Sequence, residues 1–149
     1  AIFSTVNGSI GIGFAIPVNT VKKALNQLLE KGYVSRPWLG ITGQTIDEED
    51  AAMLGLKSGG VLVADVFPGS PAGRYGLKGA DGVIRLGNLS VSSGGDLIVA
   101  IDGNPVSSMD DLNEHIEGAE PGQTVTLRLI RDGRTMTLKL KLEEMPRSN

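Results

Sequence analysis

The chain has 149 residues, no cysteine and a formal net charge of −3, with 14 Lys and Arg against 17 Asp and Glu. A chain of this length folds as one ordinary domain, or a small domain with an appendage, and buries roughly 70% of its unfolded surface without a covalent staple. Disulfides and thiolate metal sites are excluded, dispersed cations exclude the basic stripe of a nucleic-acid partner, and apolar windows of only about ten residues exclude a membrane-spanning helix, which needs roughly 20.

Twenty-one glycines against one Trp, two Tyr and three Phe favour tight turns between short strands over a helical bundle. Ala1-Ile2-Phe3-Ser4 carries no initiator Met, basic n-region or cleavage site and reads as the interior of a longer chain. Asn7-Gly8 between two apolar runs predicts a β-hairpin over residues 1–16. Gly8, Gly11 and Gly13 do not make a dinucleotide fingerprint, because their order is G-x-x-G-x-G and neither a prompt helix nor a ribose-binding acid follows. Pro17 sets a helix start, Val18, Val21, Leu25, Leu28 and Leu29 recur at helical spacing, and Gly32 supplies the stop, so 17–31 is a helix. Its lysines and Asn26-Gln27 fall off the apolar stripe, on a solvated face.

Pro37 forces the chain to become extended and opens a second unit. Trp38-Leu39-Gly40-Ile41 follows at once. Glycine allows the backbone to turn without a Cβ clash, so consecutive N–H groups can converge on an anion. We read Leu39-Gly40-Ile41 as a cradle for a peptide's terminal carboxylate, with Leu39 and Ile41 facing the adjoining side chain and Arg36 beside them. The plain alternative is a buried strand entering a sheet. Leu39 to Thr45 is a strand and Asp47 to Gly55 a short helix, whose acids sit in the first turn where the helix dipole favours them and make no metal site.

Gly60 to Phe67 is β-branched and turn-bounded, a buried strand. Ser70 and Pro71 then predict the cap and first position of a short helix, 71–75, stopped by Gly76. The glycines of 79–95 break the rhythm and read as a hairpin insertion. Asp96 to Ile101 is a strand with an Asp102-Gly103 turn into Asn104-Pro105-Val106. A helix opens under one of two capping patterns, Ser107 with Asp110 or Ser108 with Asp111, placing Met109, Leu112, Ile116 and, at its edge, Asn113 on one face. Val125–Ile130 and Thr135–Leu142 alternate at period two around Asp132-Gly133, a terminal hairpin with one wet face, and Glu143 to Asn149 should fray.

Taken together, Trp38-Leu39-Gly40-Ile41, the Gly-Val-Leu-Val run with Pro-Gly-Ser-Pro-Ala, Gly95 through Gly103 and Val106 through Ile116 resemble a PDZ domain of the bacterial, circularly permuted type. Residues 8–31 resemble the last barrel strand and exit helix of an HtrA/Deg-type serine protease. The likeness covers nearly the whole chain in the family's order, while the 79–95 segment is longer than in the shortest members. It implies an α+β, mainly β fold: a PDZ-like partly open barrel or sandwich of five to six strands with two or three short helices, preceded by a hairpin and one longer helix. The implied organisation is a protease remnant with connecting helix at 1–32, a PDZ domain at 33–143 and a frayed tail at 144–149.

The resemblance also frames catalysis. Such a protease needs a serine inside Gly-x-Ser-Gly-Gly, a histidine base and an orienting aspartate. Ser58 and Ser93 each precede two glycines, but neither has the glycine two residues earlier, and the sole histidine, His115, lies on the helix of the expected groove. No catalytic residue, metal or cofactor is expected in this fragment, whose parent is a serine endopeptidase.

What the resemblance implies is a peptide reader. A partner's C-terminal segment would add as a strand beside 41–45, opposite the helix from Ser108. Its carboxylate would meet the N–H groups of Leu39, Gly40 and Ile41 and, directly or through water, Arg36; its last side chain would enter a pocket of Leu39, Ile41, Met109, Leu112, Asn113 and Ile116. Micromolar affinity, about −8 kcal/mol, suits so small a contact. The expected partners are C-terminal peptides of unfolded or misassembled proteins and the parent's own protease domain, in quality control in the cell envelope, with a strand swap through 1–16 as a further contact. The alternatives are a self-occluded scaffold domain, closed by 1–16 or by the C-terminal tail, and a hydrolase using Ser93 or Ser58 with His115. Bulk at Gly40, as in Gly40→Val, is expected to abolish binding and leave the fold largely intact.

Overall fold

The computed structural model describes residues 15–147, and the chain divides into two compact units, 1–35 and 36–149. The expected hairpin over 1–16 lies, but for its last two residues, outside the described residues. In the first unit, α1 runs Val18–Lys31 and ends on Gly32, whose left-handed backbone (φ 76°) lets its N–H reach the Leu28 carbonyl. Gln27 Oε1 accepts the Ser35 N–H at 2.8 Å, so this residue of the polar face ties down the chain that leaves the helix.

In the second unit, β1 is Pro37–Trp38, β2 Ile41–Ile46, α2 Glu48–Met53, β3 Gly60–Val66 and α3 Pro71–Arg74. There follow β4 Gly82–Leu86, β5 Leu89–Ser93, β6 Leu97–Ile101, β7 Asn104–Pro105 and α4 Met109–Glu117. The last elements are β8 Thr124–Arg131, β9 Arg134–Lys141 and β10 Glu143–Glu144. The fold is mixed α and β, mainly β, and its main sheet is open, ordered β2-β3-β6-β8-β9 with β7 beside β6 and every pairing antiparallel. The segment expected as an insertion is the β4–β5 hairpin.

One core cluster gathers Leu39, Val61, Val63, Ile98, Leu127, Leu129 and Leu140 with Ala72 of α3 and Leu112 and Ile116 of α4. A second holds Ile46, Leu62, Val91 and Leu97 with Ala51 of α2. Val61 and Val63 of β3 face the first cluster and Leu62 the second, as the strand period requires, and a register shift between Thr42 and Gly43 brings Val66 back to the first. Within the stretch expected to fray, residues 143–145 are instead anchored: β10 pairs with β1, and the Met145 N–H reaches the Arg36 carbonyl at 2.9 Å. A two-residue strand is too short to show a period in sequence, and its stability comes from its neighbours. Arg74 of α3 also forms an ion pair with Glu143.

Candidate functional site

The Leu39-Gly40-Ile41 turn is aimed by hydrogen bonds on its far side. The Leu39 carbonyl accepts the Ala72 N–H at 3.0 Å and the Gly40 carbonyl accepts the Phe67 N–H at 2.9 Å. In a trans peptide the following N–H points opposite to the carbonyl. The N–H groups of Gly40 and Ile41 are therefore directed away from α3 and β3. Gly40 has φ +83°, the left-handed backbone that this reversal requires. Trp38 and Phe67 pack against each other across the turn, with ring centroids 5.9 Å apart and the planes tilted by 47°. The residues that aim this turn are Ala72, the last of the Pro-Gly-Ser-Pro-Ala block, and Phe67, immediately before it; neither was assigned this part from the sequence.

β2 is the end strand of the main sheet, and among the described residues no strand pairs with its outer edge. α4 lies beside it. Ser108 caps α4 by accepting the Asp111 N–H at 3.1 Å, which selects the second of the two capping patterns, and the Met109 N–H donates to Thr45 Oγ1 of β2 at 3.0 Å. The Asp111 carboxylate accepts from both Ser107 Oγ (2.5 Å) and Ser107 N–H (3.0 Å), which hold its pKa below the ordinary 3.8.

Between the turn and α4 lies a pocket of about 90 Å³, well under the roughly 300 Å³ of a small-molecule site and suited to a single side chain. Leu39, Gly40 and Ile41 form one wall and Met109, Asn113 and Ile116 the other, so the structure brings these six site candidates together. Leu112 is a correction: it is 0% exposed and sits in the core beneath the groove. On a helix packed at a sheet edge, positions 109, 113 and 116 turn to the groove and 112 turns inward. The pocket lining omits Arg36, an exposed residue whose carbonyl receives Met145. Pro37, Trp38, Glu117 and Met145 line the pocket and were missed. Glu117 could have been found four residues beyond Asn113; Met145 depends on the unsignalled β1–β10 pairing.

Gly40→Val is also corrected as a surgical test. A Cβ on Gly40 would overlap the Ser70 Cβ and lie 2.7 Å from its Oγ, so bulk there damages the fold as well as the cradle.

A larger cavity of about 300 Å³ lies between Leu54, Leu56, Ile84, Leu97 and Ile130, bordered by Lys57, whose Nζ donates to the Gly133 carbonyl at 3.1 Å. None of the residues expected to form the carboxylate turn or the groove face of α4 lines it, so size alone does not make it the better candidate. Ser93, at the end of β5, borders this cavity, Ser58 precedes β3, and His115 lies on α4, where its Nδ1–H donates to the Asp111 carbonyl at 2.9 Å. The first-turn acids have local partners: Asp47 Oδ1 accepts the Asp50 N–H at 2.7 Å and Glu48 Oε1 the Gly59 N–H at 3.2 Å.

The family model of the PDZ domain matches residues 37–142. The chain belongs to the PDZ domain family. Its PDZ domain and preceding residues are 37% identical over 147 residues to a probable periplasmic serine endoprotease DegP-like of Bartonella henselae. They are 38% identical over 147 residues to the protein of that name from Chlamydia trachomatis. These matches cover 98% of the chain but only 26% and 27% of the relatives, so the chain spans about a quarter of their length. Among solved structures, the HtrA-type protease AlgW with a decapeptide aligns at TM-score 0.69 and 32% identity, over 99% of this chain and 41% of that one. The serine endoprotease from Yersinia pestis aligns at TM-score 0.60 and 25% identity, over 97% of this chain and 42% of that one.

Proposed function

We propose that this PDZ domain is the peptide-capturing module of an HtrA-type serine endoprotease, and that it binds free apolar C-termini by adding them as a strand to β2. The observation that carries the reading is the outward pair of Gly40 and Ile41 amides at the start of a free strand edge, beside a pocket for one side chain. The amides would hold the terminal carboxylate, with Leu39 N–H completing the cradle and Arg36 adding long-range attraction. Main-chain bonds to β2 would supply affinity without sequence information, and the apolar pocket would select the last residue. Met109, unbranched and adaptable, would allow Val, Leu, Ala and Phe there.

The names of the relatives, periplasmic serine endoproteases, support an extracytoplasmic setting and a protease parent; in this reading the captured termini would come from unfolded or misassembled proteins. Catalysis would belong to the rest of that protein. The hydrolase alternative is disfavoured, since Ser58 and Ser93 lack the family's context and Nδ1 of His115 is committed to its own helix.

Amide shift mapping with a peptide ending in a free Val tests the reading. Shifts should concentrate at residues 39–45 and along α4. Shifts concentrated instead at Leu54–Lys57 and Ser92–Gly95 would reject it in favour of the larger cavity.

A further inference from the structure

The strand-addition reading fixes where each side chain of the added strand would fall, and one position meets a charge. Ile41 stands opposite Val66, and the Phe67 N–H bonds the Gly40 carbonyl. That makes Ile41 and Val66 a non-hydrogen-bonded pair, so the N–H and C=O of Ile41 face the free edge, those of Thr42 face β3 and those of Gly43 face out again. An antiparallel peptide would bond its last residue to Ile41 and its third-last to Gly43. Its penultimate residue would sit opposite Thr42 as a closely spaced pair, about 4.5 Å between Cα atoms.

Side chains alternate across a strand. The last and third-last residues would share the α4 face with Ile41 and Gly43; a Cβ built on Gly43 would lie 3.0 Å from the Met109 sulfur, which fixes that face. The penultimate side chain would share the opposite face with Thr42. Directly beyond Thr42 in the same cross-strand row is Asp65 of β3. Thr42 Oγ1 donates to Asp65 Oδ2 at 3.2 Å and accepts the Asp65 N–H at 3.2 Å, which holds the carboxylate on this face. Both residues are exposed, and no cation forms an ion pair with Asp65 among the described residues.

Resting on the strand-addition reading, we propose that Asp65 makes the penultimate position a subsite for Lys or Arg. The row places that residue about 10 Å from Asp65, Cα to Cα, a span covered by the long stem of either cation with the carboxylate at its end. Thr42 is too short to block the path. The partner class is therefore narrower than any apolar C-terminus: an apolar last residue preceded by a cation.

The test uses fluorescent hexapeptides with a free C-terminal Val and Lys, Ala or Glu at the penultimate position. The wild-type domain should bind the Lys peptide about threefold more tightly than the Ala peptide, the scale of one exposed ion pair, and the Glu peptide more weakly than both. Added salt should compress the series. In Asp65→Asn, which keeps the Thr42 partner, the three peptides should bind alike, at the wild-type affinity for the Ala peptide. Equal binding of all three to the wild type, or a Lys preference that survives Asp65→Asn, overturns the subsite and leaves strand addition standing. Failure of all three to bind overturns strand addition and the subsite with it.

Discussion

Gly40 and Ser70 stand so close that any side chain on Gly40 would overlap the Ser70 Cβ. Ser70 in turn caps α3 by accepting the Gly73 N–H at 3.1 Å, and α3 supplies the Ala72 N–H that aims the turn. The cradle and α3 are therefore one packed unit. Gly40→Ala should cost more than the about 1–2 kcal/mol of a left-handed non-glycine residue, because it adds the clash. Urea denaturation reads this as a lower midpoint, and peptide binding should fall with it.

The buried Asp96 carboxylate, 0% exposed, accepts Arg131 Nε at 2.7 Å, Arg131 Nη2 at 2.6 Å and the Lys78 N–H at 2.8 Å; Arg131 also donates to the Gly76 carbonyl. Removing one partner of such a pair leaves a buried charge. Arg131→Met should destabilise the domain by about 3–5 kcal/mol, measured by chemical denaturation. Hydrogen exchange should rise first at Lys78 and Asp96, at the base of the β4–β5 hairpin.

Leu112 and Met109 separate stability from recognition. Leu112→Ala opens a cavity in the core and should cost about 2–5 kcal/mol. Met109→Ala, at a half-buried groove position, should cost much less and should shift the preference of the pocket among apolar C-terminal residues. Thermal melts paired with a peptide panel distinguish the two.

Most of the fold was legible because its signals are local. The Gly32 stop of α1, the Ser70-Pro71 start of α3 and the Asp102-Gly103 and Asp132-Gly133 turns all stand as expected, the two aspartates taking φ 49° and 51°. The Leu39-Gly40-Ile41 turn drew notice in the sequence because a glycine there can take the left-handed backbone that Gly40 has, with φ +83°. What stayed hidden depends on partners distant in sequence. The β1–β10 pairing, the Met145 wall and the Phe67 and Ala72 amides behind the turn have no periodicity of their own. Leu112 was misplaced because one apolar helical face can serve both a groove and the core below it, and spacing does not divide them.

The Ser107 hydrogen bonds to Asp111 give α4 a pH dependence of known sign. They depress the Asp111 pKa in the folded state, so their stabilisation is present above pH 3.8 and is lost as pH falls through the lower folded-state value. Hydrogen exchange at the start of α4 should rise on acidification through that window. Asp111→Asn should be less protected at neutral pH and lose this acid-dependent step.

The central claim is that the outward amides of Gly40 and Ile41 read a free terminal carboxylate. Titration of the domain with two peptides identical but for a free or amidated C-terminus tests it most directly. The account predicts micromolar binding of the free acid and a loss of at least about tenfold on amidation, the 1.4 kcal/mol scale of one charge-assisted hydrogen bond. Equal affinity for the two forms would contradict it.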